Sequence, residues 1–266
     1  MTTASYPMTY AMRDSMTMLR RNLRHMQRYP SLTIMLIGQP IVLLLLFVYI
    51  FGGTLGDGLG GVGGRAEYIG YVTPAILLIT VVSAVMGTAI SVAMDMTEGI
   101  IARFRTMAIS RASVLTGHVI GTVIQTVFGL AVVIGVALLV GFSPTAGFGE
   151  WVAVAGVLSL LTVALTWMSV ALGLVAKSVE TASNTPMIFM MFPFLGSGFV
   201  PTDSLPAWLR WFAEYQPFTP MIETIRGLLL GTPIGHSALL AVGWCVLLAA
   251  VGYAWSKSLY AKERNR

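Results

Sequence analysis

IGYVTPAILLITVVSAVMGTAISVAM, residues 69–94, runs its whole length without a charged side chain. About 20 mostly apolar residues in helical conformation cross the hydrocarbon core of a bilayer, so this stretch reads as a membrane span. It does not stand alone. Of the 266 residues, 56% are hydrophobic and 10% charged, and the mean hydropathy is +0.81. No soluble domain with an ordinary surface has that balance. Comparable runs lie at 32–52, 113–141, 152–176, 183–200 and 237–256, so the sequence predicts an all-α integral membrane protein with six transmembrane helices. The first run follows a basic start, as a signal peptide would. It exceeds a signal's apolar region and has no clear A-x-A cleavage site, so it reads as a retained span.

Lys and Arg set the expected orientation. With both termini cytoplasmic, thirteen of the 16 basic residues fall inside, and only Arg65, Arg210 and Arg226 fall outside. The sequence therefore points to a multi-pass protein of the plasma (inner) membrane, and the pI near 9.6 is a topology signal. Nucleic-acid binding would need a basic folded surface with groove-reading or stacking elements, and none is legible. The single cysteine, Cys245, lies in the last run, and His25, His118 and His236 lie on separate segments, which leaves no metal-ligand spacing. No G-x-x-x-x-G-K-[ST] motif occurs. The Gly-rich run 52–64 contains no Lys, so it is expected to be a flexible connector rather than a phosphate cradle.

Residues 8–28 place Met8, Met12, Met16, Leu19, Leu23 and Met26 on one helical face, with five arginines on the others. This predicts an N-terminal amphipathic interfacial helix, apolar side in the lipid and basic side toward anionic headgroups. The interiors of the first four spans carry no Asp, Glu, Lys or Arg, which argues against an intramembrane proton or ion relay. The fifth, TASNTPMIFMMFPFLGSGF (181–199), is interrupted by Pro186 and Pro193, with Gly196 and Gly198 following. Such a segment reads either as a flexible wall of a translocation path, lined by Phe189, Phe192, Phe194 and Phe199, or as a locally bent packing helix. Residues 201–236 are too long and too apolar for a simple loop. Pro206 and Pro220 are placed to open two short helices and Gly231 to end the second, so the pair is expected to dip back into the membrane from outside. Glu223 and Arg226, three apart, form a candidate external gate or a plain surface pair.

Between the second and third spans, Ile100, Phe104 and Met107 recur at helical spacing among Arg103, Arg105 and Arg111, with Glu98 near the start. Residues 97–109 are expected to form a short cytoplasmic helix that offers apolar side chains and Arg to a groove on a cytosolic partner. The topology charge alone is the plainer alternative.

Two stretches resemble a known family. EGIIARFRTMAISRASVLTGHVIG (98–121) is similar to the cytoplasmic loop of ABC type-2 transporter permeases, notably the daunorubicin/doxorubicin-resistance branch. GFVPTDSLPAWLRWFAEYQPFTPMIETIRGLLLG (198–231) resembles the external re-entrant segment of the same family, here taken over 203–231. The family commonly has Pro where this chain has Ala108, and Asn-Pro where it has Gln216-Pro217. The resemblance implies that residues 1–266 form a single ABC type-2 transmembrane domain. It further implies a homodimer, or a heterodimer with a related permease, carried by two copies of a separate cytosolic ABC ATPase. The 97–109 helix would be the coupling helix, with Glu98, Gly99, Arg103, Phe104 and Arg105 entering the ATPase. ATP and Mg would bind that partner, leaving this chain with no cofactor and no catalytic residues. The expected function is permease subunit of an ATP-driven exporter of hydrophobic or amphipathic drugs, antibiotics or lipids. Two alternatives stay open, export of a lipid-linked polysaccharide and ion-coupled transport without an ATPase.

Overall fold

The computed structural model describes residues 30–57, 64–97, 111–176 and 178–262. The candidate interfacial helix 8–28 and the coupling helix, from Glu98 onward, lie outside them. The described chain is almost entirely helical. Helix α1 spans Pro30–Leu46 and widens into a π-helical turn at Phe47–Phe51. It continues without a break as α2, Gly52–Asp57. Residues 52–57 are therefore the last turns of the first rod, a correction to the connector expected from their glycine content. Then come α3 (Arg65–Thr97), α4 (Arg111–Val140) and α5 (Phe148–Val175). Short elements follow, α6 (Val179–Asn184), a 3-10 turn at Thr185–Met187 and α7 (Ile188–Met191). After a stretch of turns stand α8 (Ala207–Tyr215), α9 (Phe218–Leu230) and the long α10 (Ser237–Lys262).

Five helices among the described residues are long and apolar enough to cross a membrane: Ile34–Asp57, Arg65–Met94, Val119–Val140, Phe148–Val175 and Ser237–Leu259. The segment expected to be the fifth of six spans, 183–200, is not a continuous helix. Pro186 supplies no amide hydrogen and opens a 3-10 turn, and Pro193 stops α7, so the backbone from Phe192 to Phe199 runs in turns.

The bundle is built around α3. Of its most apolar window 83% is buried, against 61% for α5, 28% for α4 and 17% for both α1 and α10. α3 touches α1, α4, α5, α6, α7 and α9, whereas α10 packs along α5 and α9 at the periphery. Several threonine hydroxyls inside the bundle are satisfied locally. Thr73, Thr80, Thr126, Thr162 and Thr166 each donate to the carbonyl four residues back, and Thr88 meets Thr122 across the α3–α4 contact. α5 and α10 approach closely at Gly252, where a Cβ would stand 2.7 Å from the Met168 amide nitrogen. Trp167 and Tyr253 pack edge to face beside that crossing, 5.1 Å between centroids.

The two helices expected in 203–231 are present. Pro206 caps the first, as anticipated. The second begins at Phe218 behind Pro217, so Pro220 sits inside its first turn, where a missing amide hydrogen costs nothing. Gly231 ends it in the left-handed conformation, φ +72°. The pair is unequal. α9 is enclosed by α3, α5 and α10, while α8 exposes Trp208, Trp211 and Tyr215.

Candidate functional site: the clamp on the broken segment

The turns at 192–199 leave backbone groups outside any regular helical ladder. Backbone groups without helical partners cost several kcal/mol each in hydrocarbon, so irregular backbone there must be met by protein or face water. Side chains of α3, of α9 and of the link between α8 and α9 meet it. Gln216 Nε2 donates to the Phe192 carbonyl at 3.1 Å. Thr219 Oγ1 accepts from the Ser197 amide at 3.4 Å and from Gln216 Nε2 at 2.9 Å. Arg226 Nη2 donates to the Ser197 carbonyl at 2.7 Å, and the Tyr68 hydroxyl donates to the Phe199 carbonyl at 3.3 Å. Gln216 also accepts from the Phe218 amide at 3.2 Å, so one side chain caps α9 and holds the broken segment.

Arg226 is the centre of this clamp. It is 6% exposed, although it is a charged residue in an apolar bundle. Nη1 donates to Glu223 Oε1 at 2.6 Å, and Nη2 donates to the Tyr71 carbonyl at 3.0 Å besides that of Ser197. The guanidinium carbon lies 3.8 Å from the centroid of the Tyr71 ring. The Arg226 Nε and the Ser197 hydroxyl are buried without a hydrogen-bond partner. A buried charge is tolerated when paired and hydrogen-bonded, and three acceptors and an aromatic face do that here.

Three of the four phenylalanines of the candidate path divide between two aromatic clusters. Phe194 stacks on Phe199 at 4.5 Å, and Phe199 packs at 4.3 Å on Phe47 in the π-helical turn of α1. Phe192 stacks on Phe218 of α9 at 5.5 Å and lies 6.3 Å from Phe212 of α8. Phe189 is half-buried against the main core. The aromatic rings thus hold the broken segment between α1 on one side and α8–α9 on the other.

Glu223 and Arg226 do pair, as their spacing suggested, with Arg226 buried and the Glu223 side chain still 37% exposed. Sequence reasoning missed Tyr68, Tyr71, Ser197 and Thr219. Gln216 offered one signal, as a polar residue before Pro217 in an aromatic stretch. A surface ion-pair network lies nearby. Arg210 pairs with Asp203 and, at 2.8 Å, with Glu214. Its hydrogen bond to Glu214, then the Asp203 charge, raise its pKa above the ordinary guanidinium value, so it stays charged.

Among the described residues no group of His, Cys, Asp and Glu is placed to hold a metal. A nearly all-helical bundle with five membrane-length rods, and an interrupted segment held by helices before the last rod, has the architecture of a multi-span membrane protein and fits a membrane permease. Residues 14–230 match the ABC-2 type transporter family, and the chain belongs to that family as a membrane-spanning permease. It is 30% identical over 224 residues to the daunorubicin resistance ABC transporter permease protein DrrB1 of Streptomyces coeruleorubidus, covering 84% of this chain and 77% of the relative. It is 26% identical over 244 residues to the probable doxorubicin resistance ABC transporter permease protein DrrC of Mycobacterium tuberculosis, covering 89% and 87%. Nodulation protein J of Rhizobium meliloti is 28% identical over 231 residues, covering 81% and 82%.

Proposed function

We propose that the chain works as the permease subunit of an ATP-driven exporter that moves hydrophobic or amphipathic compounds outward. The observation that carries this is the similarity, over more than three-quarters of both chains, to a permease named for daunorubicin resistance. The absence of charged residues within the first four apolar runs fits it, because energy then has to come from another subunit. The chain itself hydrolyses no ATP. It pairs with a second permease copy and with a cytosolic ATPase, which binds ATP and Mg. Glu98, Gly99, Arg103, Phe104 and Arg105 enter the ATPase, and closure of the ATPases moves the helix 97–109 and rocks the spans. Both termini face the cytoplasm of the plasma membrane, as the distribution of Lys and Arg supports. In this orientation α8 and α9 form an external re-entrant pair, 183–200 serves as an interrupted crossing, the fifth of six, and Glu223 and Arg226 sit at an external gate. The exposed Trp208 and Trp211 suit an outer interface.

The test is reconstitution. The chain alone in liposomes should neither hydrolyse ATP nor move doxorubicin. With its ATPase, doxorubicin or another amphipathic dye should stimulate hydrolysis and move across the membrane. Proton-driven accumulation by the chain alone would instead establish ion-coupled transport.

A further inference from the structure

Interrupted helices at membrane depth present carbonyl oxygens that no intrahelical amide reaches. Ion-coupled carriers fill such places with dissolved cations, because unwound carbonyls coordinate Na⁺. In this chain one nitrogen bridges a carbonyl of the turn segment and a carbonyl of the continuous helix α3. Arg226 Nη2 stands 2.7 Å from the Ser197 carbonyl oxygen and 3.0 Å from the Tyr71 carbonyl oxygen, and those carbonyls belong to two different segments. The Tyr71 ring covers the cation, and Glu223 balances its charge through Nη1. We infer that Arg226 is a tethered cation for the broken segment. It is a positioning residue that supplies in covalent form the charge a carrier would take from solution. This deepens the reading of Glu223 and Arg226 as an external gate and rests on it for the gate's role in transport.

Three further observations favour the assignment over a plain structural ion pair. An ion pair alone would need only Glu223, yet the second terminal nitrogen is committed to backbone carbonyls of other elements. α9 already has a full apolar seat on its neighbours, through Met221, Ile222, Ile225 and Leu229, all fully buried. The arginine is therefore not required to dock its own helix. What it adds is the hold on Ser197, whose stretch of chain from 192 to 199 is in turns. The Arg226 Nε and the Ser197 hydroxyl are buried without a hydrogen-bond partner, so Nη1 and Nη2 carry the arginine's side-chain bonds, and two of those three go to backbone carbonyls.

The experiment uses the full-length chain in open membrane fragments, where a maleimide reaches both faces. Cys245 is replaced by Ala, and Ser197→Cys is the reporter, since Ser197 is buried in the resting structure. With Arg226 in place, Ser197→Cys should label slowly, at a rate indifferent to Na⁺. In Arg226→Ala it should label at least about tenfold faster, the factor that corresponds to ~1.4 kcal/mol for a lost charge-assisted hydrogen bond. Added guanidinium chloride at millimolar level should slow it again, and Arg226→Lys should fall between. Met221→Cys in the same Arg226→Ala background should stay protected. Unchanged labelling in Arg226→Ala, or no response to guanidinium, would overturn the tethered-cation assignment, and so would Na⁺-dependent labelling with Arg226 present. Labelling of Met221→Cys as well would mean that the arginine holds the fold at large, which also overturns it. Neither ATPase nor substrate enters these measurements, so this inference and the exporter reading fail separately.

Discussion

Gln216 makes three contacts with one amide, to the Phe192 carbonyl, the Thr219 hydroxyl and the Phe218 amide, and it is buried. Gln216→Ala should therefore lower stability by about 1–3 kcal/mol, the cost of leaving buried groups unmet. Gln216→Asn is one methylene shorter. It should keep the bond to the Phe218 amide, lose the reach to Phe192, and cost less than the alanine variant. Thermal unfolding in detergent, followed on fluorescent fusions, reads both, and equal losses for Asn and Ala would show that the Phe192 contact carries nothing. Gly252 makes the complementary point about shape. Its missing Cβ is what lets α10 lie against the Trp167–Met168 backbone. Gly252→Val should push the helices apart and destabilise by about 1–3 kcal/mol. The same assay should place it below Gly243→Val, since a Cβ at Gly243 meets nothing within 4 Å.

At the scale of elements, the helix expected at 97–109 carries the clearest functional forecast. Phe104→Ala removes an aromatic anchor of the kind that often contributes about 2 kcal/mol or more at an interface, which is roughly thirtyfold in docking. Arg105→Ala should add to that loss if the guanidinium meets a carboxylate on the ATPase. Both variants should reach the membrane at normal abundance while ATPase pull-down and substrate-stimulated hydrolysis fall. Retention of wild-type coupling in the double variant would reduce the segment to topology charge. How much of the architecture was legible depended on the element. The rods at 69–94 and 152–176 announced themselves by length and lack of charge, and Pro206 and Gly231 marked a helix start and a helix end correctly. Their rotation was hidden, because α3 and α5 are apolar on every face and no stripe shows which side meets a neighbour. The fifth segment was flagged as bent by Pro186 and Pro193, but its loss of continuous helix was not. That outcome depends on Gln216, Thr219, Arg226 and Tyr68, which lie far away in sequence and meet it only after folding.

On the scale of the whole molecule, the two ends of the bundle should be distinguishable from outside the cell. In a Cys245→Ala background, cysteines at Gly60 and Asp203 should react with an impermeant thiol reagent on intact cells, and one at Thr97 should not. Cys245 is itself fully buried, so its removal costs little reporting power. The reverse pattern would invert the proposed orientation. The central position of α3 has a consequence for biogenesis. A nascent chain emerges N-terminus first at roughly 5–20 residues per second. The helix that ends up most enclosed is thus made early, while α5 and α9, which cover much of it, are made after it. The broken segment leaves the ribosome ahead of Gln216 and Arg226, so the Ser197 carbonyl meets its Arg226 partner only once α9 has followed. A chain that ends before residue 226 leaves that carbonyl without this partner, a mark by which membrane proteases could recognise an unfinished copy, and completion of α9 erases it.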